Sequence, residues 1–153
     1  MNLHVQMNNE VALRPAKVVI AVLRSKGCVA LGLRHDGTWA LPRGVIKPSE
    51  TPRTASVRAL AEEVGIMAWA FKDLGSRFYE GERRAYIECQ HVAGKLENLQ
   101  PAKFKEVAWK SEDEVLQLIG DRLFENVAGI LKMPQPMRAR AIPSWMKAKV
   151  DAV

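Results

Sequence analysis

Apolar and polar positions along this chain fall into strand-like runs followed by helix-like ones. The run KVVIAVLR, Lys17 to Arg24, is β-branched and apolar enough for a buried strand, and Val29 to Arg34 reads as a second. Ser25, Lys26 and Gly27 form a short hairpin loop between them, with Gly27 suited to a left-handed position. Asp36 and Gly37 mark another turn, and Thr38 to Leu41 predicts a short strand ending at Pro42. This β-meander delivers the chain to Gly44, where a turn with Pro48 is expected.

The rhythm then changes. From Thr51 or Pro52 to Val64 the spacing predicts a helix, with proline in its first turn, Thr51 as cap and Gly65 as stop. Leu60 and Val64 belong to its apolar face, and Arg58 and Glu62 are four apart, so they are neighbours on the surface. Met67 to Phe71 and Gly75 to Tyr79 predict two strand segments, and Arg84 to Ala93 a half-buried strand. After a loop over Gly94 to Ala102, Phe104 to Trp109 predicts a further strand. Ser111 with Glu114 is a capping box opening a helix to about Ile119. Asp121 to Lys132 predicts a last amphipathic helix. Strands on both sides of a central helix, with more helices at the end, predict an α+β fold or an αβα sandwich.

The organisation is one domain, 17–132, between an N-terminal arm, 1–16, and a basic, proline-containing tail, 133–153. Apolar Ile142, Trp145 and Met146 among the charges of that tail would suit a contact with the domain or between two copies, a homodimer. No apolar run approaches a membrane span of about 20 residues, and the N-terminus has no signal-peptide pattern, so the cytoplasm is the expected compartment. Cys28 and Cys89 are too isolated for a disulfide framework or a metal site and are expected to be small core residues. The net charge is +6, and the segment from Arg14 to Arg58 carries only Asp36 and Glu50 as acids. Such a basic field favours anionic partners. Nucleic acid is not the expected one, because no recognition motif accompanies the charge.

The stretch with chemistry is GVIKPSETPRTASVRALAEEVGI, Gly44 to Ile66. Adjacent carboxylates Glu62 and Glu63 on a helix, beside a glycine-led loop, suggest a hard cation and an oxygen-rich ligand. By itself an RALAEE helix is more often a solvated face with an ordinary ion pair, worth a few tenths of a kcal/mol. What changes the picture is the register. The segment resembles the 23-residue signature of the Nudix hydrolases, GX5EX7REUXEEXGU with U aliphatic. Gly44, Glu50, Arg58, Leu60, Glu62, Glu63, Gly65 and Ile66 match, and one fixed position fails: Ala59 stands where the family has glutamate. The lead-in Trp39-Ala40-Leu41-Pro42-Arg43-Gly44 is similar to that of members acting on diadenosine polyphosphates and diphosphoinositol polyphosphates. FKEVAWKSEDE, Phe104 to Glu114, is similar to the later tryptophan-containing strand, and the likeness covers roughly Lys17 to Leu131.

The resemblance implies the Nudix αβα sandwich, a mixed β-sheet between helices, and hydrolysis of a diphosphate bond in a nucleoside diphosphate-linked or polyphosphate substrate with Mg²⁺ or Mn²⁺. Cations held by carboxylates neutralise the anionic substrate and lower the pKa of bound water. Carried over residue by residue, Glu62 and Glu63 would be metal ligands with the Gly44 carbonyl, Glu50 would pair with Arg58 to fix loop and helix, and Arg43 and Lys47 would meet substrate phosphates. In relatives the glutamate missing at Ala59 is a metal ligand or the general base, so its loss would cost about 10²-fold to 10⁴-fold if it were the base.

Three explanations stay open: another acid, Glu106 first and then Glu97, Glu112 or Glu114, stands in; the chain is an inactive Nudix-fold module binding a nucleotide or phosphorylated metabolite; or Ala59 is an introduced substitution. Trp39 and Trp109 are expected as core or pocket wall. For Tyr79 and Tyr86, strand packing is the simpler account beside a place in a substrate pocket. His4, His35 and His91 stand without metal-ligand spacing.

Overall fold

The computed structural model describes residues 15–132. The N-terminal residues 1–14 and the tail from 133, with its expected dimer contact, lie outside the described residues. Strands β1 (Val18–Ser25), β2 (Cys28–Arg34), β3 (Trp39–Ala40) and β4 (Arg43–Val45) precede helix α1 (Pro52–Val64). Then come β5 (Met67–Tyr79), β6 (Glu82–Ala93), β7 (Phe104–Ser111), α2 (Glu112–Ile119), a 3₁₀ turn at Gly120–Arg122 and α3 (Glu125–Leu131). One sheet runs in the order β3-β2-β1-β6-β5, with β4 also on β1 and β7 also on β2. The β1–β6 pair is parallel and the other pairs are antiparallel, so the sheet is mixed.

β1 explains the sandwich. Its side chains alternate between faces: Val18, Ile20 and Val22 join the core under α2 and α3, whereas Val19, Ala21 and Leu23 join the core under α1. Both faces are covered, which is why Lys17 to Arg24 carries so little polar alternation. Arg24, 2% exposed, is the exception. Its guanidinium reaches Glu88 on β6 at 2.9 Å and Glu112 at the start of α2, so the buried charge is compensated from two elements.

Several local expectations hold. Thr51 caps α1 by accepting from the Thr54 amide at 3.1 Å, and Gly65 ends it in the left-handed region at φ 70°. The Ser111–Glu114 capping box opens α2. Three details differ. Met67–Tyr79 is one continuous strand rather than two, because register shifts at Ala70/Lys72 and Asp73/Ser76 absorb the apparent break as bulges. Gly44, expected in a turn, lies in β4 opposite Val19. The last helix begins at Glu125 rather than Asp121: Leu123 is extended, and Phe124 turns onto Tyr86 with ring centroids 4.9 Å apart. No helix among the described residues is long and apolar enough to cross a membrane.

Candidate functional site

β4 separates two chemically distinct regions. Arg43 lines a cleft on the α2/α3 side, whereas Gly44 faces α1, where a β-carbon on the glycine would lie 2.7 Å from the Ala59 methyl.

On the α1 side, Arg58 is the organising group. It donates to Glu50 from Nε at 2.7 Å and Nη2 at 2.8 Å, to the Val45 carbonyl at 2.6 Å and to Glu62 at 3.1 Å. Glu50 also accepts from the Lys47 amide at 3.0 Å. The forked guanidinium first, and that amide second, hold the Glu50 carboxyl down at about 2, well below the ordinary carboxylate range. This is the loop-to-helix clamp that the resemblance implies for Glu50 and Arg58.

Glu62 and Glu63 part company. The Glu62 side chain is 55% exposed and paired with Arg58. That of Glu63 is 10% exposed, and its Oε1 lies 2.5 Å from the ammonium of Lys103, a residue outside the signature that local sequence pattern does not mark. Lys103 is positioned by the loop after β6. Glu97 and Leu99 amides satisfy the Val64 and Glu63 carbonyls at 3.0 Å each, and a turn from Gln100 closes on Lys103 and Phe104. The other oxygen of Glu63, Oε2, is buried without a hydrogen-bond partner among the described residues.

The implied divalent cation can be tested against these donors. Glu63 Oε2 is a donor of the right kind. Ala59 offers none, Lys103 already places a positive charge on the same carboxylate, and Glu62 turns to Arg58. Among the described residues no group of three or more His, Cys, Asp or Glu side chains could hold a metal ion. The set does not fit the carboxylate-rich centre that the resemblance implies.

Glu112 is engaged with Arg24 and Glu114 with Ser111. Glu106 is exposed on β7 opposite Leu33, and among the described residues no hydrogen bond or ion pair joins it to α1. Glu97 lies beside the end of α1, its β-carbon 4.0 Å from where one on Gly65 would sit.

The cleft on the other face holds about 560 Å³ including its open mouth. Arg34, Arg43, Arg77, Arg84 and Arg122 line it against a single acid, Glu80, together with Trp39, Tyr79, Tyr86 and Phe124. Arg77 and Arg84 face each other across the β5–β6 hairpin, a like-charge pair that is unfavourable by itself. Tyr79 sits under both guanidiniums, at 4.0 Å and 5.1 Å, and Glu82 bridges Arg84 and Arg43 at 3.0 Å each. Arg77 also donates to the Tyr86 hydroxyl at 3.0 Å. Lys47 is not in this cleft; it is exposed beside a separate groove with Pro48 and Pro52. Arg34, Arg77, Arg84 and Arg122 lie outside the residues expected to meet substrate phosphates. The signal for two of them was there: Arg77, Tyr79, Arg84 and Tyr86 fall at alternate positions on the two arms of one hairpin.

Comparison with known proteins agrees with this architecture. The NUDIX domain family model matches residues 13–127. The chain is 30% identical over 111 residues to a CTP pyrophosphohydrolase of Escherichia coli strain K12, covering 69% of this chain and 82% of the relative. It is 29% identical over 114 residues to a MutT-like protein of Streptomyces ambofaciens, covering 71% of each. In fold it is similar to the crystal structure of a NUDIX hydrolase from Nitrosomonas europaea, with a TM-score of 0.66 at 16% identity over 78% of this chain and 71% of that one. A match to the family model over most of the chain, with the signature clamp formed on α1, establishes that the chain belongs to the Nudix family.

Proposed function

We propose that this Nudix protein binds a phosphorylated small molecule of the nucleotide or phosphate-rich class, and that Ala59 impairs hydrolysis of the ligand's diphosphate bond. The observation that carries the reading is the pairing of an arginine-lined cleft with a signature helix in which Ala59 replaces one acid and Glu62 and Glu63 are each ion-paired on the chain. Five lining guanidiniums, two of them paired with Glu82, still outnumber the acids around them and favour an anion with several charged groups, and their planar forks suit phosphate oxygens. The aromatic walls add surface for a ring or other apolar part of the ligand.

A second reading keeps full turnover as a pyrophosphohydrolase. One observation favours it: the buried Glu63 Oε2 has no hydrogen-bond partner among the described residues and remains an acceptor. The likeness to the CTP pyrophosphohydrolase also supports it.

The test is calorimetric binding of nucleoside triphosphates, nucleotide sugars, dinucleoside polyphosphates and diphosphoinositol compounds, with product analysis after long incubation in Mg²⁺ and Mn²⁺. Saturable binding that weakens in Arg34→Ala, with little product, is the expected result. Robust turnover of any member by the unaltered protein would support the second reading. Binding of none of them would remove the ligand class.

A further inference from the structure

The signature helix carries Ala59 where the family pattern has a carboxylate, and a lysine engages the carboxylate of Glu63. Glu63 is largely buried, and a buried carboxylate without a counter-charge is costly. In a carboxylate-rich centre that counter-charge is a bound ion. Here it is an ammonium on the chain itself, 2.5 Å from Oε1 and still 35% exposed at its own side chain. The backbone of the loop is pinned to the last turn of α1 through Glu97 and Leu99, so Lys103 is delivered by a braced segment.

We propose that Lys103 is the resident cation of the signature site: its ammonium neutralises Glu63 and excludes a divalent ion from it, so that the site meets anionic ligands without metal. The inference rests on Glu63 being a retained carboxylate of an impaired Nudix centre, as proposed above. One ammonium offsets one carboxylate. A divalent ion entering beside Lys103 would face its positive charge a few ångströms away across a largely buried group. Lys103 also offers donors to a ligand from its exposed side, and Ala59 demands no further cation. One lysine therefore suffices where three carboxylates would need divalent metal.

Mn²⁺ binding to the full-length chain, read by electron paramagnetic resonance without substrate, tests this independently of turnover. The unaltered chain is expected to show no saturable Mn²⁺ site in the submillimolar range. Lys103→Ala and Lys103→Gln, the latter keeping much of the side-chain stem, are expected to tighten Mn²⁺ binding about tenfold or more. The gain should vanish when Glu63→Gln is added, and Lys105→Ala, an exposed neighbour on β7, should change affinity by less than about twofold. Thermal melts confirm folding of each variant. Tight Mn²⁺ binding by the unaltered chain overturns the proposal, as does unchanged affinity in both folded Lys103 variants. Hydrolysis by the unaltered chain that persists in chelator with Lys103 intact would instead sink the impaired-centre reading while leaving the cation assignment standing.

Discussion

The Ala59 methyl lies so close to Gly44 that a β-carbon at position 44 would come within 2.7 Å of it. β4 and α1 therefore meet through the smallest side chain and none at all. Gly44→Ala is expected to push strand and helix apart and destabilise the protein by about 1–3 kcal/mol, as overpacking of a tight contact does. Urea unfolding measures it, and an unchanged midpoint at unchanged slope would show that the seam yields freely.

Ala59→Glu keeps the β-carbon and adds a carboxylate that starts from a position only 2% exposed. In chelator this variant should melt below the unaltered protein, because a charge leaving a buried point without a partner costs free energy. Millimolar Mn²⁺ should recover part of the loss once Lys103→Ala is added to the variant, and shift the unaltered chain little. Differential scanning fluorimetry with and without chelator separates these outcomes; equal metal shifts in both proteins would contradict the assignment of position 59.

Acid should weaken the clamp between loop and helix. Glu50 sits at about 2 in the folded chain against an ordinary 4.5, held down first by Arg58. A depressed carboxyl contributes stability that is full above the unfolded value and is lost as pH falls from about 4.5 towards 2. Glu50→Gln removes that contribution. The stability gap between the two proteins should accordingly be widest near neutral pH and close across the acid window. A gap that stays constant down to about pH 2 would mean that the Glu50 charge is not what Arg58 holds.

Much of this was legible in local chemistry. The Thr51 cap, the Gly65 stop and the Ser111–Glu114 box are decided within a few residues, and all three formed as read. The pairing of Glu50 with Arg58, eight residues apart, followed from signature register and formed too. The sandwich and mixed sheet likewise followed from the family likeness. What local reading lost depends on tertiary placement. Lys103 meets Glu63 from 40 positions away, through a loop with no periodicity to betray it. The arginine cleft draws on β2, β4, the β5–β6 hairpin and the 3₁₀ turn, so its charges look scattered in sequence. The gap expected between the two strand segments at Lys72–Leu74 is bridged by register shifts at Ala70/Lys72 and Asp73/Ser76, which keep β5 continuous.

The two cysteines should differ sharply in reactivity. Burial pushes the Cys89 thiol up to about 12, so almost no thiolate exists at neutral or mildly basic pH. Cys28 is only partly buried at the start of β2. Iodoacetamide at about pH 8 should label Cys28 in the folded protein and Cys89 only after denaturation, as read by mass spectrometry. Prompt labelling of Cys89 in the folded state would show that the core under α1 opens readily.

Removing one partner of the Arg24 network should be costly. Arg24→Ala leaves Glu88, 2% exposed, facing the loss of a 2.9 Å ion pair, and Glu112 without its guanidinium. A loss of about 3–5 kcal/mol is expected from breaking a buried pair on one side. Guanidinium chloride unfolding gives the value, and a loss within the range of ordinary surface substitutions would place Arg24 outside the core's charge balance.

The most direct test of the impaired centre is the initial rate of diphosphate hydrolysis by the unaltered protein in Mg²⁺, with and without chelator, across nucleotide and polyphosphate substrates. Glu63→Gln reports whether any rate belongs to this site. Rates at background, equal in both proteins, are expected. Chelator-sensitive turnover that Glu63→Gln abolishes would contradict that expectation and make this chain a working metal-dependent Nudix hydrolase despite Ala59.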